Sequence, residues 1–119
     1  MIQGTGIDII ELERIEKLFQ RNVKFVERVL TKSEQEKLST FTNHKRRVEF
    51  LAGRFAVKEA YSKAVGTGIG KHLSFQSIEI ISNDLGQPVI YVNSKEQVGA
   101  HVSISHSKQY AIAQVILEK

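Results

Sequence analysis

The fold turns on FLAGRFAVKEAYSKAVGTGIG, Phe50 to Gly70. It reads as the C-terminal part of a long helix followed by a glycine-rich exit. Gly66, Gly68 and Gly70 cluster where a helix stop is expected. At about 100° per residue, Val48, Leu51, Ala52 and Phe55 share one side. Phe50, Val57, Ala60, Tyr61 and Ala64 share the opposite side. A helix apolar on two sides is packed on both, which makes this a central helix. Glu59 and Ser62 continue the first apolar side, with Lys63 at its edge. A carboxylate in such a stripe is costly unless it is paired or bound to metal. Glu59 and Lys63 are four apart, so a plain helical ion pair is one reading and a functional carboxylate is the other.

Upstream, IQGTGIDII (residues 2–10) alternates as a strand. Gly4, Gly6 and Asp8 share a face, and the glycines leave that face open to close approach. Strands disfavour aspartate, so Asp8 between two isoleucines is a second carboxylate out of place. Residues 11–29 read as helix interrupted near Asn22, with Ile15, Leu18, Phe19 and then Phe25, Val26, Val29 as its apolar stripes. Arg14, Lys17, Arg21, Lys24 and Arg28 recur at helical steps and form a basic ridge, which either meets an acidic partner or is solvated and paired with nearby glutamates. Thr31 or Ser33 opens a capping box, with Glu34 or Glu36 three residues on. Asn43 caps the central helix. Lys45, Arg46 and Arg47 follow at the end the macrodipole makes unfavourable for cations, a placement that makes sense if an anion is supplied.

After Gly70 the pattern changes. Phe75–Ile81 alternates as a strand, Asn83–Pro88 is a turn, and Val89–Val92 is the next strand. Lys95–Gly99 reads as a linker or short helical turn. Val102–His106 and Tyr110–Leu117 are the last strands, with short turns that imply antiparallel pairing. The fold class expected is α+β, an antiparallel sheet wrapped around a long central helix, with residues 1–119 as a single domain. The last strand is apolar on both faces, which suggests a subunit interface.

Composition limits the possibilities. Hydrophobic content of 41% and charged content of 25% are ordinary for a soluble globular chain. No apolar run approaches a membrane span, and no signal peptide is visible. The absence of cysteine excludes disulfides, thiolate catalysis and thiolate zinc sites, and fits a cytoplasmic protein. Residues 1–63 hold 13 Lys/Arg against 9 Asp/Glu, whereas residues 64–119 hold 4 of each. The basic half should therefore face an acidic partner.

Asp8 and Glu59 could meet through one strand-to-helix contact. Two carboxylates with waters and substrate phosphates are a usual way to hold Mg²⁺. Lys63, one turn after Glu59, and the Ser105-His106-Ser107-Lys108 turn add groups suited to phosphate. This chemistry supports metal-assisted phosphoryl transfer. It leaves two rivals open, a metal-dependent nuclease using the same three residues and a small basic nucleic-acid-binding domain. Lys45–Arg47 is too short a basic track for a nuclease, and retention on immobilised duplex DNA would separate both rivals from a transferase.

Gly6-Ile7-Asp8 together with Phe55-Ala-Val-Lys58-Glu59-Ala60-Tyr-Ser-Lys63 strongly resembles the 4′-phosphopantetheinyl transferases. Thr31-Lys-Ser-Glu34, Gly66-Thr-Gly68, Leu85-Gly86-Gln87-Pro88 and Ser103-Ile-Ser105-His106-Ser107 narrow the likeness to the short bacterial, trimeric type. The resemblance spans essentially the whole chain. It implies Mg²⁺-dependent transfer of the phosphopantetheine arm of coenzyme A to a serine of apo-acyl carrier protein, with release of adenosine 3′,5′-bisphosphate, in fatty acid biosynthesis. It implies a homotrimer with active sites between subunits, and neither nucleic acid nor membrane as partner. Asp8 and Glu59 match the metal ligands, and Glu59 and Lys63 the catalytic pair. Lys45, Arg46, Arg54, Lys63, Gly66, Gly86, Gln87, Pro88, Ser105, His106 and Ser107 match the coenzyme A contacts. Arg14 and Arg21 match the carrier-protein dock. The carrier serine needs a base, for which Glu59 acting through water is the candidate.

Overall fold

In a computed structural model that describes residues 1–119, the central helix is α4, His44–Val65, 22 residues long. Asn43 Oδ1 accepts the Arg46 N–H at 3.1 Å at its start. Gly66 ends it in the left-handed region at φ 99°, a conformation that carries no penalty without a Cβ. Leu51, Ala52, Val57 and Ala60 are wholly buried, as a helix packed on two sides requires, and Phe50 and Phe55 are half-buried. Lys58 and Ser62 are fully buried as well, which the apolar pattern does not anticipate.

Strand β1 (Ile2–Glu11) leads into α1 (Leu12–Arg21), α2 (Val23–Val29) and α3 (Lys32–Ser39). The helical run does break at Asn22, whose extended backbone separates α1 from α2. Of the two possible caps, Thr31 is the one used. Its hydroxyl accepts the Glu34 N–H, and Glu34 returns a carboxylate oxygen to the Thr31 N–H at 2.9 Å. After α4, residues Phe75–Ser77 form a 3₁₀ turn, then come β2 (Ile78–Ser82), β3 (Pro88–Val92), β4 (Lys95–Glu96), β5 (Ala100–His106) and β6 (Tyr110–Glu118).

Two local expectations are corrected. The strand expected from Phe75 starts only at Ile78, because Ser74 and Ser77 cap each other reciprocally and curl the backbone between them. The expected linker at Lys95–Gly99 opens with a strand instead. Asn93 and Ser94, at φ 50° and 69°, close a tight hairpin that pairs Lys95 and Glu96 with Val92 and Tyr91.

The architecture is α+β. The strands divide into two antiparallel three-stranded sheets, ordered β1-β6-β5 and β2-β3-β4. The first lies along α4. Its inner face carries Gly6, Asp8 and Ile10 opposite Val115, Ala113 and Ala111 of β6. A Cβ on Gly4 or Gly6 would collide with the backbone carbonyls of Ala64 and Ala60, so these glycines set how closely strand and helix approach. Ile78, Ile80 and Ile90 of the second sheet complete the core with Ile15, Phe25 and Val29 from the shorter helices. The outer face of the first sheet is open, with Ile7 and Ile9 exposed by 55% and 59%.

Candidate active site

The close contact of β1 with α4 delivers Asp8 to the last turns of the helix. Lys63 Nζ donates to Asp8 Oδ1 at 3.2 Å and to the Ile7 carbonyl at 3.0 Å. The Glu59–Lys63 helical ion pair does not form, since the lysine reaches across to the strand instead. Asp8 Oδ2 is buried and has no hydrogen-bond partner. Burial holds the Glu59 carboxyl above the ordinary carboxylate range, the negative charge of Asp8 adds to that, and Lys63 partly opposes it. Two carboxylates, one with a buried idle oxygen, thus share a half-open site beside an ammonium. This donor set suits a hard divalent cation such as Mg²⁺. Gly66, just beyond, leaves open space beside its backbone.

Several of the other predicted residues lie between the start and the middle of α4. Arg46, Glu49, Gly53, Arg54 and His106 line a small cleft of about 120 Å³. His106 Nε2 lies 3.2 Å from the Glu49 carbonyl. Arg54 stacks over Phe50 at 4.4 Å, and burial lowers the pKa of its guanidinium. Arg46 sits over Phe41 at 5.2 Å and Arg47 over Phe19 at 5.3 Å, so aromatic faces steady these helix-start cations. Lys45 lines a separate cleft of about 550 Å³ with Glu16, His44 and Lys108. In the β2–β3 turn, Asn83 Oδ1 accepts the Leu85 and Gln87 N–H groups at 3.0 and 2.9 Å and so shapes the Gly86-Gln87-Pro88 segment.

The Ser105-His106-Ser107 run does not point one way. His106 lies on the inner face of β5, and Ser105, paired with Ile112, on the outer. Ser107 Oγ is committed to the Gln109 and Tyr110 N–H groups at 3.3 and 3.0 Å. On α1, Arg14 and Arg21 are exposed. Lys17 alone of the ridge has a carboxylate partner, Glu13 at 3.2 Å. Sequence reasoning gave Lys58 no separate role and Glu34 only that of a capping partner for Thr31, yet the two meet in the core at 2.6 Å.

Paired carboxylates beside an ammonium, on an α+β frame, suit the handling of a phosphorylated substrate. A sequence profile of the 4′-phosphopantetheinyl transferase superfamily matches residues 4–115. A holo-[acyl-carrier-protein] synthase of Geobacillus sp. (strain WCH70) is 57% identical over 119 residues, spanning 100% of this chain and 98% of its own. A crystal structure of a holo-(acyl-carrier-protein) synthase from Bacillus anthracis str. Ames, in complex with CoA (3′,5′-ADP), superimposes with a TM-score of 0.89 at 52% identity, over 100% of this chain and 98% of that one. The Helicobacter pylori holo-[acyl-carrier-protein] synthase in complex with coenzyme A gives 0.80 at 36% identity, over 96% and 99%. The chain belongs to the 4′-phosphopantetheinyl transferase superfamily.

Proposed function

We propose that this protein transfers the 4′-phosphopantetheine arm of coenzyme A to a serine of apo-acyl carrier protein and releases adenosine 3′,5′-bisphosphate, as its likeness to holo-[acyl-carrier-protein] synthases suggests. The observation that carries the reading is Asp8 beside Lys63, with its second oxygen buried and idle, and the Glu59 carboxyl held up by burial and then by Asp8. Asp8 and Glu59 would hold Mg²⁺, which when bound would offset charge on the pyrophosphate.

In the transfer, the serine oxygen bonds to the phosphorus that carries the pantetheine, and the bond from that phosphorus to the bridging oxygen breaks. The bridging oxygen leaves with the electron pair on adenosine 3′,5′-bisphosphate. Lys63 neutralises that departing phosphate and supplies it a proton. Help of this kind is worth about 10²–10⁴ in rate. Glu59 takes the serine proton through water.

Lys45, Arg46, Arg54, His106 and the Gly86-Gln87-Pro88 turn bind the adenosine bisphosphate end, with Lys63 and Gly66 nearer the pyrophosphate and Ser105 and Ser107 shaping the strand turn. Arg46 is thirteen residues from Glu59, about 20 Å along the helix. The distance of Arg46 from the carboxylates supports a homotrimer in which one subunit's carboxylates face its neighbour's Arg46. The open face with Ile7 and Ile9 supplies an apolar surface for that contact. Arg14 and Arg21 dock the acidic carrier. One contiguous core supports a single transferase domain over residues 1–119. No helix is long and apolar enough to cross a membrane, and with no cysteine the chain suits the cytoplasm, where it would serve fatty acid biosynthesis.

The test is mass spectrometry of apo-acyl carrier protein incubated with this protein, coenzyme A and Mg²⁺, with an EDTA control. A metal-dependent gain of one phosphopantetheine is expected. No gain, with a known transferase working in parallel, would sink the reading.

A further inference from the structure

Two sequence motifs have no part in the site just described, Lys58 within Lys58-Glu59 and Glu34 within Thr31-Lys-Ser-Glu34. They meet in the core. Lys58 is 0% exposed and Glu34 is 2% exposed. The ammonium spends its three donors on Glu34 Oε1 at 2.6 Å, the Val29 carbonyl at 2.6 Å and the Phe75 carbonyl at 3.0 Å. Glu34 Oε1 also accepts the Thr31 N–H at 2.9 Å, and Glu34 Oε2 accepts the Ile80 N–H at 2.9 Å. Arg54 Nη2 donates to the Ile80 carbonyl at 3.4 Å.

Ile80 is the middle residue of β2, and β2 is an edge strand. The edge-facing N–H and C=O of Ile80 are thus taken by two side chains where a neighbouring strand would otherwise bond. Three residues further on begins the turn that carries Gly86-Gln87-Pro88. Ser82, at the foot of that turn, lines a cleft with Phe50 and Arg54, which also line the Arg46–His106 cleft. A buried ion pair is a poor way to gain stability, since matched apolar residues often do as well or better. Its presence here fits a task of registration.

We propose that Lys58 and Glu34 are positioning residues for coenzyme A. They form a clasp that fixes the β2–β3 hairpin on α4 and thereby sets where the Gly86-Gln87-Pro88 turn meets the adenosine end. Neither side chain reaches the surface, so neither touches substrate. The inference rests on the transferase reading and on the placement of that turn in the coenzyme A site. Removing the clasp loosens the hairpin and leaves Asp8, Glu59 and Lys63 in place.

The experiment is steady-state kinetics of Lys58→Met with coenzyme A and apo-carrier varied separately. The KM for coenzyme A is expected to rise about tenfold, with kcat and the carrier KM within about twofold, the scale of an ordinary coupling between sites. An unchanged KM for coenzyme A, or equal losses in all three constants, would overturn the proposal. If Lys58→Met does not fold, amide hydrogen exchange of the wild-type protein decides. Coenzyme A should slow exchange of the Ile80 N–H about tenfold by the reciprocity of coupling. Protection of the 83–87 turn with no change at Ile80 would overturn the clasp. Absence of any transfer by the wild-type protein would instead remove the transferase reading itself.

Discussion

Asp8 has one carboxylate oxygen held by Lys63 and one buried without a partner. A buried unsatisfied polar atom costs about 1–3 kcal/mol, more if charged, which a bound cation would recover. Asp8→Asn should therefore abolish transfer while leaving the fold intact. Thermal melts check this. Mg²⁺ should raise the Tm of the wild-type protein and leave that of the variant unmoved, and full activity in the variant would remove Asp8 from the metal site. The same substitution carries a pH signature. The folded-state pKa of Glu59 is raised, by burial first and then by Asp8. The protonated form is the one the fold favours, so this stabilising contribution is present at low pH and is lost as pH rises through the folded value. Asp8→Asn should move the Glu59 titration back toward the ordinary carboxylate range in NMR. Mg²⁺ affinity of the wild type should fall as acid protonates Glu59. Lys63→Ala should cut kcat by about 10²–10⁴ and change coenzyme A affinity less. A loss confined to KM would refute its role as proton donor.

At the scale of elements, the contact between β1 and α4 makes the site. Gly6→Ala would push a methyl into the Ala60 carbonyl, and neither backbone can yield cheaply. Overpacking of this sort costs about 1–3 kcal/mol, so a lower Tm and a larger loss of transfer are expected as Asp8 moves away from Glu59. The glycine–aspartate face and the doubly apolar helix were legible in the sequence because periodicity reports burial directly. Lys58 was not, because hydropathy places lysine at the surface and its partner Glu34 lies 24 residues away. The Ser74–Ser77 mutual cap hid the 3₁₀ turn inside a strand-like alternation. The basic ridge belongs to α1, where Arg14 has no carboxylate partner within the chain. Arg14→Ala should weaken carrier use mainly at low salt. An unchanged salt profile of KM for the carrier would argue against docking there.

For the whole molecule, the question is whether one protomer holds a complete site. Asp8, Glu59 and Lys63 lie toward the C-terminal end of α4, while Arg46 lies near its start and Arg54 and His106 beside its middle. A single copy would need the substrate to span the helix, whereas a cyclic trimer can place one end against its neighbour's other end. Mixing two inactive proteins tests this directly. Asp8→Asn spoils the carboxylate half, and an Arg46→Ala/His106→Ala double variant spoils the cation half. If sites form between subunits, an equal mixture reassembled from dissociated chains contains about one quarter intact interfaces, by random assortment around the ring. About one quarter of the wild-type rate should return. If each site lies within one chain, every site in the mixture carries a defect and nothing returns. A charge on the open face, such as Ile9→Asp, should block assembly in sedimentation velocity and silence transfer, because that isoleucine is 59% exposed in the isolated chain. Retained activity in a monomeric Ile9→Asp protein would place the whole site within one chain.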